Sequence, residues 1–132
     1  MSRLQERIEN FNRAFYLYEK ARLAYKQNEQ DDIARLAIIQ SFEIVVELGW
    51  KVLKDRLSIA GIEALTPNGV VKEAFSVNML PTGQIWIDMI KDRNASSHEY
   101  NLDKVDIILD KIGNIYFQEL SRFHDSLGEL DE

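Results

Sequence analysis

The chain has 132 residues, 45% of them hydrophobic and 29% charged, with 6 Gly and only 2 Pro, which fits one folded domain over residues 1–132 and excludes a disordered chain. It contains no cysteine, so disulfides, zinc ribbons and thiol catalysis are excluded. The formal net charge of −6 and the lack of any basic run argue against a sequence-independent nucleic-acid platform and leave no expectation of a DNA partner, without excluding a small nuclease site.

The first residues, Met1 to Arg7, carry charges every few positions and no apolar signal core, so cytoplasmic residence is expected. From there Leu4, Ile8, Phe11, Phe15, Tyr18 and Tyr25 form one apolar stripe at helical period, which predicts a long first helix. The spacing of its aromatics points to core or dimer packing rather than to base stacking. The polar run Lys26 to Gln30 ends it, and Asp31 or Asp32 can cap the next helix.

That second helix, about Asp32 to Ile59, is apolar around most of its circumference. Gln40, Glu43, Glu47 and Lys51 interrupt it before roughly 18 apolar residues accumulate, so a central bundle helix is expected and no membrane span. Gly61 closes it. Thr66-Pro67 then reads as a helix cap followed by proline at the first helical position, opening a short third helix through Val70, Val71, Ala74 and Phe75. Thr82 is expected to cap a fourth helix with Ile85, Trp86, Met89 and Ile90, and Asn101 a last one with Val105, Ile108, Ile112, Ile115 and Phe123. The acidic end, residues 127–132, is expected to fray. No segment alternates as a half-buried strand does. The expectation is an all-α, up-and-down bundle of about five helices, four long and one short.

Chemistry concentrates in residues 93–100, Arg-Asn-Ala-Ser-Ser-His-Glu-Tyr. Of the two histidines, His124 near the chain end is expected on the surface. His98 has Arg93 five residues before it and Tyr100 two after. Metal-independent RNA cleavage needs a group of near-neutral pKa to take the 2′-hydroxyl proton, and imidazole suits that. It also needs a fixed cation against the charge developing on phosphate, which a guanidinium supplies. Asn94 could donate to a phosphate oxygen or hold the histidine tautomer.

Geometry restrains this reading. Five residues of straight helix give about 7.5 Å of rise and about 140° of rotation, so Arg93 and His98 would face different ways. Either the helix ends between them, or Arg93 swings on its stem, or a second chain completes each site. Arg93 and His98 could also simply cap a helix C-terminus, where cations are favoured.

Gln40, Glu43, Glu47, Lys51 and Lys54 form a polar stripe on the second helix, ordinarily a solvated edge with Glu47 and Lys51 as a favourable pair. Glu43 and Glu47, like charges one turn apart, would accept a cation between them. Arg93 is a candidate, which would put Gln40, Glu43 and Glu47 on a cleft wall. Asp88 and Asp92, one turn apart, invite a divalent metal but have no histidine ligand on their face, so no metal or other cofactor is expected.

Arg93, His98 and Tyr100 match the Arg-x-x-x-x-His-x-Tyr signature of HEPN proteins. Three more segments resemble the nucleotidyltransferase substrate-binding branch of that superfamily: Ala37 to Lys51, Thr66 to Phe75, and Trp86 to Asp92. The resemblance runs over roughly residues 5–120 in matching order. It implies a helical homodimer encoded with a minimal nucleotidyltransferase. It also implies the toxin role of a toxin–antitoxin pair, a metal-independent ribonuclease with paired Arg and His residues in a cleft at the dimer interface. The antitoxin partner would silence it by transferring nucleotidyl groups from ATP (AMPylation) to the motif tyrosine. Carried over, Arg93 and His98 are the ribonuclease residues, Asn94 resembles the polar residue that follows the arginine, and Tyr100 is the acceptor. The branch's name implies an alternative, a substrate-binding or acceptor subunit without its own catalysis.

Overall fold

The computed structural model describes residues 2–96 and 102–128. Within them the chain forms six helices and no strand: α1 (Arg3–Gln27), α2 (Asp32–Ile59), α3 (Pro67–Ser76), α4 (Gln84–Ser96), α5 (Leu102–Gly113) and α6 (Ile115–Leu127). It is the all-α bundle that the periodicity predicts, with α3 as the short element.

Helix ends explain the boundaries. Ser2 caps α1 in a reciprocal capping box with Gln5. Of the two aspartates offered for α2, Asp31 is the cap, its side chain accepting from the Ala34 N–H. Gly61, at φ 85°, stops α2: its N–H reaches the Ser58 carbonyl at 3.0 Å and the Ile62 N–H reaches Leu57 at 2.8 Å. Asn78, at φ 63°, ends α3 the same way, with Met79 N–H bonded to the Ala74 carbonyl at 2.8 Å. Thr66 caps α3 as its sequence predicts, accepting from Gly69.

Two boundaries differ from expectation. Helix α4 begins at Gln84, and the Ile87 N–H closes onto the Gly83 carbonyl, so Thr82 lies one residue outside the cap position. Gly83 lies against Phe75, where a Cβ would stand 3.2 Å from that residue's own Cβ. The expected last helix is delivered in two pieces, α5 and α6, broken at Asn114. The Asn114 side chain turns back to donate to the Asp110 carbonyl at 2.9 Å.

Helix α1 binds this break with one column of side chains. The Tyr18 hydroxyl donates to the Ile112 carbonyl, Arg22 Nε to the Gly113 carbonyl at 2.7 Å, and Lys26 Nζ to Asn114 Oδ1 at 2.6 Å. Carbonyls that α5 leaves without helical partners are thereby satisfied. Leu127, counted with the tail from sequence, is the last buried residue of α6, whereas residues 129–132 lie outside the described residues.

The core takes Ile8, Phe11, Phe15, Tyr18 and Tyr25 from α1, and Ile38, Phe42, Val45, Val46, Leu53 and Leu57 from α2. Helix α2 is not enclosed on all sides, because Ile33, Leu36 and Ile44 stay exposed. Gly49 lets Trp86 and Phe11 come close against α2. A Cβ there would stand 3.0 Å from the Trp86 ring and 3.4 Å from Phe11. Among the described residues no helix is long and apolar enough to cross a membrane.

Candidate functional site

Arg93 lies in the last turn of α4 and its guanidinium points at α2. Its Nη2 is 3.7 Å from Glu47 Oε2, and its Nη1 donates to Asn94 Oδ1 at 3.2 Å. Glu47 is held from its own helix as well: Trp50 Nε1 donates to Oε2 at 3.0 Å and Lys51 Nζ stands 3.4 Å from Oε1. Partial burial alone would raise the Glu47 carboxyl pKa. The Trp50 hydrogen bond and the charges of Arg93 and Lys51 outweigh it and hold the group below the ordinary carboxylate range.

Gln40, Glu43, Ile44, Glu47, Leu48 and Arg93 line one shallow groove of about 220 Å³ between α2 and α4. The structure therefore brings Arg93 together with Gln40, Glu43 and Glu47. Asn94 is exposed beside it. His98 and Tyr100, and the proposed Asn101 cap, lie outside the described residues. Ile44 and Leu48 line the groove without any signal in the sequence beyond each following a glutamate of the polar stripe. The Trp50 contact was legible as an i, i+3 neighbour of Glu47.

The aspartate pair has other occupations. Asp92 Oδ2 accepts from the Tyr116 hydroxyl and stands 3.6 Å from Lys111 Nζ, while Asp88 accepts from Gln84 Nε2 at 2.8 Å. Among the described residues no group of three His, Asp or Glu side chains could hold a metal ion. Burial, then the bond to Asp92, push the Tyr116 phenol well above its ordinary value. Nothing in the sequence linked Asp92 to a tyrosine 24 positions away. His124 keeps the surface place expected of it, its side chain 35% exposed, while one face of its ring stacks on Phe15 at 4.6 Å between centroids.

An all-helical bundle with an arginine-bearing groove at the end of α4 defines the class, and comparisons with known proteins define the family. Over residues 6–129 the chain matches the family described as nucleotidyltransferase substrate binding protein like, and it belongs to that family. Its fold is similar to a solved structure of a tri-AMPylated Shewanella oneidensis HEPN toxin in complex with MNT antitoxin. The TM-score is 0.78 at 14% identity, over 98% of this chain and 99% of that one. A sequence search of curated proteins finds no match.

Proposed function

We propose that this chain is the toxin partner of a minimal nucleotidyltransferase and a metal-independent endoribonuclease, working in the cytoplasm as a two-fold homodimer. The observation that carries the reading is the Arg93 guanidinium on the groove wall, a few residues before His98 and Tyr100 in a chain of this family. The solved relative named above is itself a HEPN toxin bound to an MNT antitoxin.

In this reading His98 of one protomer takes the 2′-hydroxyl proton. The 2′-oxygen attacks the adjacent phosphorus, the bond to the 5′-oxygen breaks, and the second protomer's imidazolium protonates the leaving oxygen. Arg93 neutralises the equatorial phosphate charge, and Asn94 supplies a further donor. The partner enzyme silences the site at Tyr100: the phenol oxygen attacks the α-phosphorus of ATP and pyrophosphate leaves. The added phosphate then blocks the cleft by bulk and charge.

A second reading has an observation of its own. The groove carries two carboxylates, Glu43 and Glu47, against one guanidinium, a balance unfavourable to phosphate. It favours an acceptor subunit without catalysis. Incubation with RNA in the presence of chelator separates the two. Cleavage by the wild type and none by His98→Ala is expected, and equal activity of the two proteins removes the nuclease reading. With nucleotidyltransferase and ATP, intact mass should rise for the wild type and not for Tyr100→Phe. Equal modification of that variant removes the acceptor assignment.

A further inference from the structure

Asp92 and Arg93 are consecutive, so on α4 their side chains diverge by about 100°. Arg93 faces α2 and the groove. Asp92 faces the other way, toward the junction of α5 and α6, where the Tyr116 hydroxyl donates to its Oδ2 and Lys111 Nζ stands 3.6 Å away. The Asp92 side chain is only 16% exposed. Tyr116 is itself fixed, 2% exposed and stacked on Phe42 of α2 at 5.6 Å with the rings within 10° of parallel. Phe42 lies one residue before Glu43 and five before Glu47 on the helix that forms the opposite wall. The chain of contact Asp92–Tyr116–Phe42 thus refers the last turn of α4 to the same helix that Arg93 faces.

From this we infer that Asp92, clamped by Tyr116 and Lys111, is a positioning residue that sets the direction of Arg93 into the groove. A largely buried carboxylate is a poor choice for stability alone, since apolar packing would serve as well. Its use is to fix one geometry. The geometry it fixes here is the rotation of the helical turn that carries the groove's cation. Misplacing a catalytic group by about 1 Å can cost on the order of 100-fold in rate, so an anchor on the adjacent residue acts through Arg93 without touching substrate.

The activity arm of this inference rests on the ribonuclease reading, whereas a labelling arm does not. Phenylglyoxal modifies accessible guanidinium groups, and peptide mass spectrometry reads Arg93 separately from exposed Arg13 and from Arg7, which Asp55 holds at 3.2 Å. Tyr116→Phe keeps the ring on Phe42 and removes the clamping hydroxyl. Lys111→Met removes the cation. In each, the labelling rate of Arg93 relative to Arg13 should rise about threefold or more, with that of Arg7 unchanged, as expected for local release of one turn. On RNA, kcat should fall about tenfold with KM within about twofold. Unchanged Arg93 labelling in both variants overturns the clamp even if thermal stability drops, and so does a joint rise of Arg93 and Arg7. Absence of RNA cleavage by the wild type would overturn the nuclease reading instead, leaving the labelling ratio to decide the clamp.

Discussion

Gly49→Ala tests the packing between α2 and α4 where two effects oppose each other. Alanine in a helix interior gains about 1 kcal/mol over glycine from backbone propensity. Against this, its Cβ would lie 3.0 Å from one Trp86 ring carbon, 3.3 Å from another and 3.4 Å from a Phe11 ring carbon. Relief needs a shift of several tenths of an ångström, and Trp86 has little freedom to give it. Its Nε1 donates to Glu119 at 3.2 Å, its ring meets Phe123 edge to face at 5.0 Å, and none of it is exposed. Overpacking of this kind costs about 1–3 kcal/mol, so the net expectation is a loss of about 1 kcal/mol. In urea, with a slope of roughly 1–3 kcal/mol/M, the midpoint should fall by roughly 0.3–1 M with the slope unchanged. Gly128→Ala is the control, because a Cβ there meets nothing within 4 Å. A Gly49→Ala protein as stable as the wild type, or more so, would refute the argument that Trp86 is immobile.

Tyr18→Phe leaves the buried Ile112 carbonyl without its phenolic donor, and should cost about 1–3 kcal/mol in chemical denaturation. For Glu47, whose folded-state pKa lies below its unfolded one, the stabilisation is present above the unfolded value and lost as pH falls through the folded one. Glu47→Gln should therefore flatten the acid limb of the stability curve, from about pH 5 downward, as read by thermal melts across pH; an unchanged limb would sink the assignment. Tyr18 and Tyr116 behave in the opposite sense. Their folded pKa values are raised, so their contribution is full below about pH 10 and lost as pH climbs toward them. Absorbance titration at 295 nm should show Tyr18 and Tyr116 ionising only as the protein unfolds in alkali. Smooth titration of all 5 tyrosines before unfolding would contradict it.

Local signals made most of the fold legible. The stripe from Ile8 to Tyr25, the Asp31 and Thr66 caps and the Gly61 stop depend on residues within a turn or two of each other, and the structure keeps them. The Thr82 cap and the unbroken last helix failed because tertiary contacts decided them: Phe75 against Gly83, and the α1 side chains that meet the carbonyls before Asn114. At the candidate site, the one-turn spacing of Glu43 and Glu47 pointed to a cation, and Arg93 stands 3.7 Å from Glu47. The sequence offers Asp92 only its one-turn neighbour Asp88, because its partner, Tyr116, is distant in sequence and belongs to an element whose start the periodicity does not reveal.

The column of Tyr18, Arg22 and Lys26 has a consequence for synthesis. Its three bonds join residues separated by 94, 91 and 88 positions, nearly the whole chain. While a ribosome is still making the chain, α1 emerges first and has no carbonyls of residues 112–114 to bind. The buried Tyr18 hydroxyl stays exposed to water until those residues clear the exit tunnel. Contacts of such long range delay folding, so the bundle cannot close before residues 112–114 are available. A nascent chain held short of residue 112 can already lay α1 on α2 through Arg7 and Asp55 and their shared core, but it lacks the three acceptors that tie α1 to the far end of the bundle.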